Sequence, residues 1–219
     1  DLRSKSDAQM SEAILRKIVG IKKSNYRPSS VQYVAPSIIK TRHPDLLHLI
    51  GMLESELFKI NFANGSPIEP AWMKEPFHFR GGIYKIGLGG LHSQHDLEVC
   101  YEADDEWMIS DIDAASYYPS ILLNCGLVPE LSGDRGEAFL DAYADIYHRR
   151  LDAKEAGDKA TANSLKIALN GLFGKLGSIY STFYSPDLLL AITITGQLNL
   201  LTLIDDLAKS RGIEVVSAN

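Results

Sequence analysis

An aspartate followed at short, fixed spacing by small and aromatic residues has the clearest chemical potential in the chain. Residues 109–121 read Ile-Ser-Asp-Ile-Asp-Ala-Ala-Ser-Tyr-Tyr-Pro-Ser-Ile. In an extended strand, Ile109, Asp111 and Asp113 share one face, and Pro119 fits the first turn of a following helix, where its missing N–H costs little. A carboxylate beside the free amides of a helix start can hold a metal ion next to a phosphate. The stretch therefore predicts a turn that binds metal and phosphate.

A second stretch, residues 161–176, predicts a helix that can complete such a site. Lys166, Asn170 and Phe173 recur at helical spacing and share one face. A lysine on that face can reach a triphosphate, and an aromatic ring further along can cover a base. Taken singly, each stretch also has an ordinary explanation: an acidic strand end before a helix, or a solvated lysine on an amphipathic helix.

In this order the two stretches resemble motifs A and B of the family B DNA polymerases, especially phage and prophage members. The first family pattern is Asp-x-x-Ser-Leu-Tyr-Pro-Ser, and Tyr117 stands where leucine is usual. The positions that match it are Asp113, Ser116, Tyr118, Pro119 and Ser120. The second pattern is Lys-x-x-x-Asn-Ser/Gly-x-Tyr-Gly, and Phe173 stands where tyrosine is usual.

The resemblance implies template-directed DNA synthesis, in which dNTPs are added to a primer 3′ end by two-metal phosphoryl transfer. It makes Asp113 the catalytic ligand of Mg²⁺, helped by the Ala114 carbonyl. Asp111 is a lower-ranked metal ligand, because family members usually have an apolar residue there. Tyr118 is expected to stack under the deoxyribose and exclude a 2′-hydroxyl. The residues whose backbone amides are expected to cradle phosphate oxygens are Ala115, Ser116 and Tyr117.

A helix hairpin is expected to carry the cations of the site. Residues 137–156 predict a long helix, and Gly157-Asp158 a turn into the second one. The hairpin resembles the polymerase fingers, in which Arg150, Lys154 and Lys166 neutralise the incoming triphosphate. Arg149 is an alternative to Arg150, because the sequence does not fix the phase of the helix. Without the two motifs, a salt-bridged surface would explain these basic residues equally well.

The remaining site residues flank this centre. Asn170 is expected to brace Tyr118 or the nucleotide, and Phe173 with Gly174 to line the nascent base pair. Family members carry a Tyr-x-Gly-Gly element before motif A that contacts the template strand. The pair Gly89 and Gly90 lies at a suitable distance, but Gly87 stands where the tyrosine belongs. Turn geometry is an equally good explanation of these glycines.

Composition favours a soluble globular protein: 219 residues, 45% hydrophobic and 23% charged. The net charge of −6 argues weakly against nucleic-acid binding, although acidic metal ligands belong to a polymerase site. Cys100 and Cys125 fit no zinc or disulfide framework and suit a reducing compartment. With no apolar run judged long enough to span a membrane and no secretory signal, the expected location is the cytoplasm, that of a bacterial host if the gene is phage-encoded.

The periodicity of apolar residues predicts the remaining elements. One helix is expected at 6–19, with a Ser6/Gln9 capping box and an apolar stripe of Met10, Ala13, Ile14 and Ile18. A second is expected at 45–60, with an apolar stripe of Leu46, Leu49, Ile50, Leu53 and Leu57. A third is expected to run from Ser185-Pro186-Asp187 to about Arg211, along the back of the sheet. Strands are expected in a hairpin at 77–91 and at 97–101, 107–113 and 213–217, with a connector at 61–76 and an exposed loop at 92–95.

The expected fold is α+β: a polymerase palm-type antiparallel sheet backed by helices, with a two-helix fingers hairpin. Its segments are 1–75 leading into the palm, 76–133 with motif A, 134–178 as the fingers, and 179–219 as a palm helix and strand. Only 46 residues separate Pro119 from Lys166. The large insertion of protein-primed members has no room there, which predicts an ordinary nucleic-acid primer.

The resemblance also implies parts that the sequence does not contain. The chain ends at Ser217-Ala218-Asn219, where the Thr-Asp of motif C and its second metal ligand are expected, and it shows no exonuclease motifs or thumb. These portions are then supplied in cis or in trans, and the isolated chain is expected to be inactive. One alternative is a non-catalytic or split-polymerase subunit that binds DNA or a partner chain. Another is a metal-dependent phosphohydrolase that uses Asp111 and Asp113.

Overall fold

The computed structural model describes residues 6–22, 25–95, 100–129 and 134–219, which form helices and two small antiparallel sheets. The α-helices are α1 (Asp7–Val19), α2 (Pro44–Ser55), α3 (Tyr117–Asn124), α4 (Gly136–Glu155), α5 (Lys159–Leu176) and α6 (Pro186–Ala208). The strands are β1 (Ser30–Gln32), β2 (Leu57–Lys59), β3 (Phe77–Phe79), β4 (Gly82–Ile86) and β5 (Leu91–Gln94), and a short 3-10 helix spans Ala71–Lys74. This arrangement is α+β; the palm-type identity of the sheet stays a prediction.

The three-stranded sheet grows from the predicted hairpin. β3 pairs with β4 in antiparallel register, with Phe77 opposite Tyr84. The connecting Arg80 and Gly81 both have positive φ, 48° and 82°, which matches the twist of a tight two-residue hairpin loop. β5 adds a third strand, in which His92 lies opposite Lys85. The hairpin prediction is therefore confirmed, whereas the loop predicted at 92–95 is wrong for residues 92–94.

One hydrophobic core lies between the sheet, α2 and α6. The side chains that α6 contributes are Leu190, Ile194, Leu198, Leu201 and Ile204, and they pack with Phe79, Tyr84, Ile86 and Leu91 from the sheet and with Leu46, Leu49 and Leu53 from α2. The prediction that this helix backs the sheet is confirmed, although it ends at Ala208. The helix predicted at 45–60 is wrong at its end: it stops at Ser55, and Leu57 is 57% exposed on β2. Strand alternation instead buries the neighbouring Phe58.

A second hydrophobic core joins α1 to α3, α4 and α5. The predicted capping box of α1 is present, since Ser6 and Gln9 bond each other's backbone amides. Its predicted apolar stripe is wrong, because Ile14 and Ile18 are 53% and 62% exposed while Leu15 and Val19 are buried. Glu12 explains this phase: it accepts hydrogen bonds from Thr182 N–H (2.6 Å) and Ser181 Oγ (3.1 Å). These two bonds tie the Glu12 side of the helix to residues 181–182.

The described part of residues 1–75 divides between the two cores. α1 belongs to the core with α4 and α5, whereas β1, α2 and β2 belong to the core with α6. The four-segment domain division stays a prediction.

The strands predicted around motif A and at the chain end do not form in the described residues. Residues 107–113 are exposed and irregular, and the Asp104 carboxylate accepts hydrogen bonds from the amides of Glu106 and Trp107 in a turn. A strand needs a paired neighbour to satisfy its backbone, and none lies beside this stretch in the part described. Residues 97–99 lie outside the described residues, and residues 100–101 are not in a strand.

The segment predicted as a buried strand at 213–217 is irregular and exposed or half-buried. Its continuation bonds to the edge of β5: Ser93 N–H donates to Ala218 O (3.0 Å), and Ala218 N–H donates to Ser93 Oγ (2.7 Å). The bonds use a side-chain hydroxyl in place of a second backbone group. A regular ladder is therefore not formed there.

Among the described helices, α6 is long and apolar enough to cross a membrane by length and composition. The expectation that no segment reaches that threshold was wrong by this criterion. However, 61% of its most apolar window is buried inside the protein. Packing in the core is sufficient reason for its apolar composition.

Candidate functional site

A cleft of about 400 Å³ opens between the start of α3 and the facing sides of α4 and α5. The residues that line it are Asp113, Ala114, Ala115, Ser116, Tyr117, Tyr118, Pro119, Arg150, Lys154, Lys166, Leu169 and Asn170. The two motifs and the hairpin, predicted separately, thus meet in one place. The hairpin geometry follows from a tight turn, in which Gly157 has φ +74° and the Asp158 carboxylate caps α5 by accepting from Thr161 N–H (3.0 Å).

The floor of the cleft is the turn that starts α3. Ser116 adopts a left-handed conformation, with φ 54°, which is uncommon for a residue with a side chain. The turn is supported by Ser120, whose N–H and hydroxyl both bond to Ser116 O (2.9 and 3.0 Å). Pro119 is buried in the first turn of the helix, as predicted. Residues 113–115 remain exposed.

The two arginines that were alternatives for the cleft, Arg149 and Arg150, have different surroundings in the structure. Arg150 lines the cleft and donates from its guanidinium to Ser116 Oγ. Its Nε is buried without a partner among the described residues. Arg149 instead points away and forms an exposed ion pair with Asp145 at 3.6 Å. Arg150 is therefore the arginine of the cleft.

Lys154 and Lys166 also line the cleft, and both are exposed. Neither forms an ion pair with any residue in the described part of the chain. The cleft thus gathers three cationic side chains around one carboxylate, within a chain whose net charge is −6. A concave site with a local excess of positive charge attracts polyanions such as a triphosphate.

The two candidate metal ligands, Asp113 and Asp111, also differ in their position relative to the cleft. Asp113 lines the cleft, whereas Asp111 is exposed and is not among its lining residues. Within the described ranges, no group of three or more His, Cys, Asp and Glu side chains is arranged to hold a metal ion. Mg²⁺ in nucleotide sites typically takes one or two carboxylates, with phosphate oxygens and waters as its other ligands. Asp113, which lines the cleft together with three cationic side chains, fits that donor set.

Tyr118 forms the wall of the cleft nearest the sheet. Its ring stacks on Phe173 of α5, with centroids 4.6 Å apart and planes 24° apart. Its hydroxyl donates to Gly89 O at 3.0 Å. Burial raises the pKa of this phenol above its ordinary value, so the hydroxyl is protonated and a donor at neutral pH.

Tyr117, where the family pattern has leucine, anchors α3 to α6. Its hydroxyl donates to Gly196 O at 2.7 Å. Burial, with a smaller contribution from Tyr118, raises the pKa of Tyr117 to about 12. A Cβ at Gly196 would lie 3.2 Å from the Tyr117 ring and 3.5 Å from the Tyr118 ring. Glycine at this position of α6 therefore allows both rings to approach the helix closely.

Four predicted residues lie beside the cleft and not in its lining. Phe173 acts through its stack on Tyr118, and Gly174 is exposed with open space around it. Gly89 contacts Tyr118, and a Cβ on Gly90 would be in ordinary contact with the Tyr118 hydroxyl, at 3.7 Å. Neither Gly89 nor Gly90 has a positive φ. Turn geometry therefore does not require glycine at these two positions.

Sequence reasoning missed several residues in and around the cleft. Tyr147, one helical turn before Arg150, bonds through its hydroxyl to Ser120 Oγ at 3.1 Å, and Leu169 forms apolar lining. Gln197 of α6 is 4% exposed and bonds both backbone groups of Gly87. The helical spacing of Tyr147 from Arg150 was a usable signal, whereas nothing local in the sequence marks Gln197.

Comparison with curated proteins gives a partial match to DNA polymerase II of Escherichia coli (strain K12), a family B polymerase. The two are 34% identical over 109 residues, which covers 39% of this chain and 14% of that protein. The chain thus corresponds to a small part of its relative. No protein-family model matches the chain, and no solved structure matches it. The distant similarity supports a polymerase-related function; phage-type membership stays a prediction.

Proposed function

We propose that the chain is the nucleotide-binding part of a family B-like DNA polymerase that adds dNTPs to a primer 3′ end. The observation that carries the proposal is the convergence of Arg150, Lys154 and Lys166 on the turn that begins at Asp113. Two motifs that are 53 positions apart, counted from Asp113 to Lys166, face one cleft of about 400 Å³. This is the size class of a small-ligand site. The match to DNA polymerase II supports the same conclusion.

In this proposal the hairpin cations bind the triphosphate, and their charge also stabilises the negative charge that develops during transfer. Asp113 and the Ala114 carbonyl would hold Mg²⁺, which supplies charge neutralisation at the phosphates. Amides of residues 115–117 would bind phosphate oxygens. The Tyr118 ring, held by Phe173, would lie under the sugar and exclude a 2′-hydroxyl, and Asn170 would contact the nucleotide from α5.

Primer-template DNA is the proposed second ligand, with the turn at Gly89 and Gly90 beside the template strand. Two-metal transfer places two ions about 4 Å apart and needs more than one carboxylate. Within the described residues, Asp113 is the carboxylate that lines the cleft. We therefore propose that the remaining metal ligand, with thumb and exonuclease portions, is supplied by other parts of the polymerase, in cis or in trans. The cytoplasm is the proposed location.

Nucleotide binding should depend on Mg²⁺ through Asp113. We expect the isolated chain to bind dATP about tenfold more tightly with Mg²⁺ than with EDTA, a difference of about 1.4 kcal/mol. Asp113→Asn should abolish the difference, because the amide is a poor ligand for a hard divalent cation. Isothermal titration calorimetry measures both affinities. Asp141→Asn, an exposed aspartate on α4, is the control that should behave as the wild type.

Two outcomes would contradict the assignment. An undiminished Mg²⁺ effect in Asp113→Asn, with loss in Asp111→Asn, would move the metal to Asp111. Absence of dATP binding at millimolar concentration would refute the proposed function. Release of phosphate from dATP or a phosphoester without template would favour the phosphohydrolase interpretation instead.

The isolated chain should not extend a primer. A primer-template with all four dNTPs and Mg²⁺ should remain at its starting length on a sequencing gel, because one carboxylate at the cleft does not hold both ions. Extension that disappears in Asp113→Asn would show that the chain supplies every ligand itself. A commercial family B polymerase on the same template serves as the positive control.

A second candidate is a split-polymerase subunit whose role is to bind another polymerase portion. The exposed stretch before the cleft favours it: Met108 and Ile112 are 83% and 86% exposed, and Trp107 and Ile109 about half exposed. Isolated apolar side chains are common at surfaces, but a run of them often marks a binding surface. Binding of dATP without any primer extension is compatible with both candidates, whereas DNA binding without dATP binding favours the second.

A further inference from the structure

The turn at residues 87–90, between β4 and β5, is fastened to the rest of the protein at two points. At its start, Gly87 N–H donates to Gln197 Oε1 (3.0 Å), and Gln197 Nε2 donates to Gly87 O (2.7 Å). Near its end, the Tyr118 hydroxyl donates to Gly89 O (3.0 Å). The first attachment comes from α6 and the second from the wall of the nucleotide cleft.

The two attachments differ in strength. Gln197 is 4% exposed, forms both bonds to Gly87, and donates a further bond to Thr193 O. Breaking such a buried pair leaves polar groups unsatisfied away from water, which is costly. The Tyr118 bond is single and lies at the surface, where water can replace it at small cost. The turn is therefore fixed at Gly87 and adjustable at Gly89.

Tyr118 lines the cleft and also contacts α5 and the 87–90 turn. Its ring packs on Phe173, which is on the same helix as Lys166. The next residue in the chain, Pro119, and the preceding turn line the cleft with it. A ligand that presses on the ring or draws α5 inward must therefore move the hydroxyl that bonds to Gly89.

We propose that the hydroxyl of Tyr118, through its bond to Gly89 O, couples occupancy of the nucleotide cleft to the position of the 87–90 turn. This rests on the proposed function and extends it: Tyr118 is a positioning residue for the turn, in addition to facing the nucleotide. Coupling between two binding events is reciprocal. A nucleotide that sets the turn therefore favours binding of the template strand proposed to lie beside the turn, and the strand favours the nucleotide.

Gly90 provides a direct reporter of this coupling. Its amide N–H belongs to the same peptide group as the Gly89 carbonyl that accepts the bond, so its NMR chemical shift responds to that bond. The experiment is a titration of the isolated chain, labelled with 15N-glycine, with Mg·dATP. Gly90→Ala assigns the signal, since a Cβ there would have its nearest neighbour, the Tyr118 hydroxyl, at an ordinary 3.7 Å. Gly51 on α2 has open space around it and serves as a reference that should not move.

Tyr118→Phe is the decisive variant, because it keeps the ring and its stack and removes only the hydroxyl. Tyr180→Phe is the matched control, since Tyr180 is 78% exposed. In the wild type and in Tyr180→Phe, saturating Mg·dATP should shift the Gly90 signal. In Tyr118→Phe, the shift at saturation should fall by at least half. Calorimetry on each variant sets its own saturating concentration, so altered affinity does not enter the comparison.

The outcomes separate this inference from the function on which it rests. Binding of Mg·dATP with an unmoved Gly90 signal, or with an equal shift in Tyr118→Phe, refutes the coupling and leaves the proposed function standing. Absence of binding in the wild type refutes both. A Gly90 shift that depends on the Tyr118 hydroxyl supports both.

Discussion

Replacement of Arg150 with alanine should weaken Mg·dATP binding by about 10- to 150-fold. The guanidinium lines the cleft, is held by Ser116 Oγ, and keeps a buried Nε donor without a partner among the described residues. A charge-assisted bond to phosphate contributes about 1.5–3 kcal/mol, which corresponds to that range of affinity. Arg150→Lys should recover only part of the loss, because an ammonium does not reproduce the planar fork of the guanidinium. Fluorescence or calorimetric titration measures the change.

Arg149 provides a matched control for the Arg150 variant. It is the preceding residue on the same helix, carries the same charge, and forms an exposed ion pair with Asp145. Arg149→Ala should change the dissociation constant by less than about twofold, since exposed pairs contribute little. Equal losses of affinity in Arg150→Ala and Arg149→Ala would show that the net charge of the chain, and not a contact in the cleft, governs binding. Inorganic triphosphate in place of dATP should show the same dependence on Arg150, because the contact is to phosphate.

Arg149 and Arg150 also show which parts of the site could be predicted from the sequence. The motifs and the hairpin predicted that a lysine, an asparagine and one of two arginines face a turn with Asp113, and all of them line the cleft. The choice between Arg149 and Arg150 depends on helix phase, which tertiary packing sets through Phe139 and Tyr143 on the buried side of α4. Propensity and spacing alone do not contain that information.

Predictions failed where an element depends on a distant partner. Residues 107–113 were expected to form a strand, yet in the described residues no neighbouring strand pairs with them. The phase of α1 was misjudged because the buried Leu15 side is selected by Glu12 bonding to residues 181–182, far along the chain. The attachment of Gly87 by Gln197 joins residues 110 positions apart. Such long-range contacts leave no local pattern to read.

Replacement of Asp205 with asparagine should lower the free energy of unfolding by about 2 kcal/mol at neutral pH. Asp205 is 3% exposed near the end of α6 and accepts hydrogen bonds from Arg80 Nε (2.8 Å) and Lys209 Nζ (2.7 Å). Removing one member of a buried pair costs about 3–5 kcal/mol. We expect less, because Arg80 and Lys209 are partly exposed and regain water. Urea denaturation followed by circular dichroism measures the difference.

The control lies one residue away. Asp206 is exposed and pairs with Lys209 alone, at 3.0 Å, so Asp206→Asn should change stability by less than about 0.5 kcal/mol. Equal effects in the two variants would show that helix-end charge and not the buried bonds is responsible.

The same carboxylate predicts a pH dependence. Burial alone would raise the pKa of Asp205, but the bonds from Lys209 and Arg80 outweigh it and hold the pKa below its ordinary value. A lowered pKa means that the unfolded chain binds the proton more readily, so this contribution is complete above the unfolded value of about 3.9 and is lost as the pH falls through the folded pKa. The difference between wild type and Asp205→Asn should therefore be constant from about pH 5 to 7 and shrink below about pH 4. An unchanged difference at about pH 3, measured in urea titrations that start from folded protein, would contradict the assignment.

The anchor matters beyond stability because of what it connects. Arg80 is in the β3–β4 turn, and Asp205 fastens that turn to α6 two helical turns beyond Gln197, which fastens Gly87. Strand β4 is thus attached to α6 near both of its ends, and Tyr118 adds a third contact at Gly89. If the attachment of β4 to α6 loosens in Asp205→Asn, the response of the Gly90 amide to Mg·dATP should weaken even though no residue of the cleft has changed. A full Gly90 response in a destabilised but folded Asp205→Asn variant would show that Gln197 is sufficient to hold the 87–90 turn.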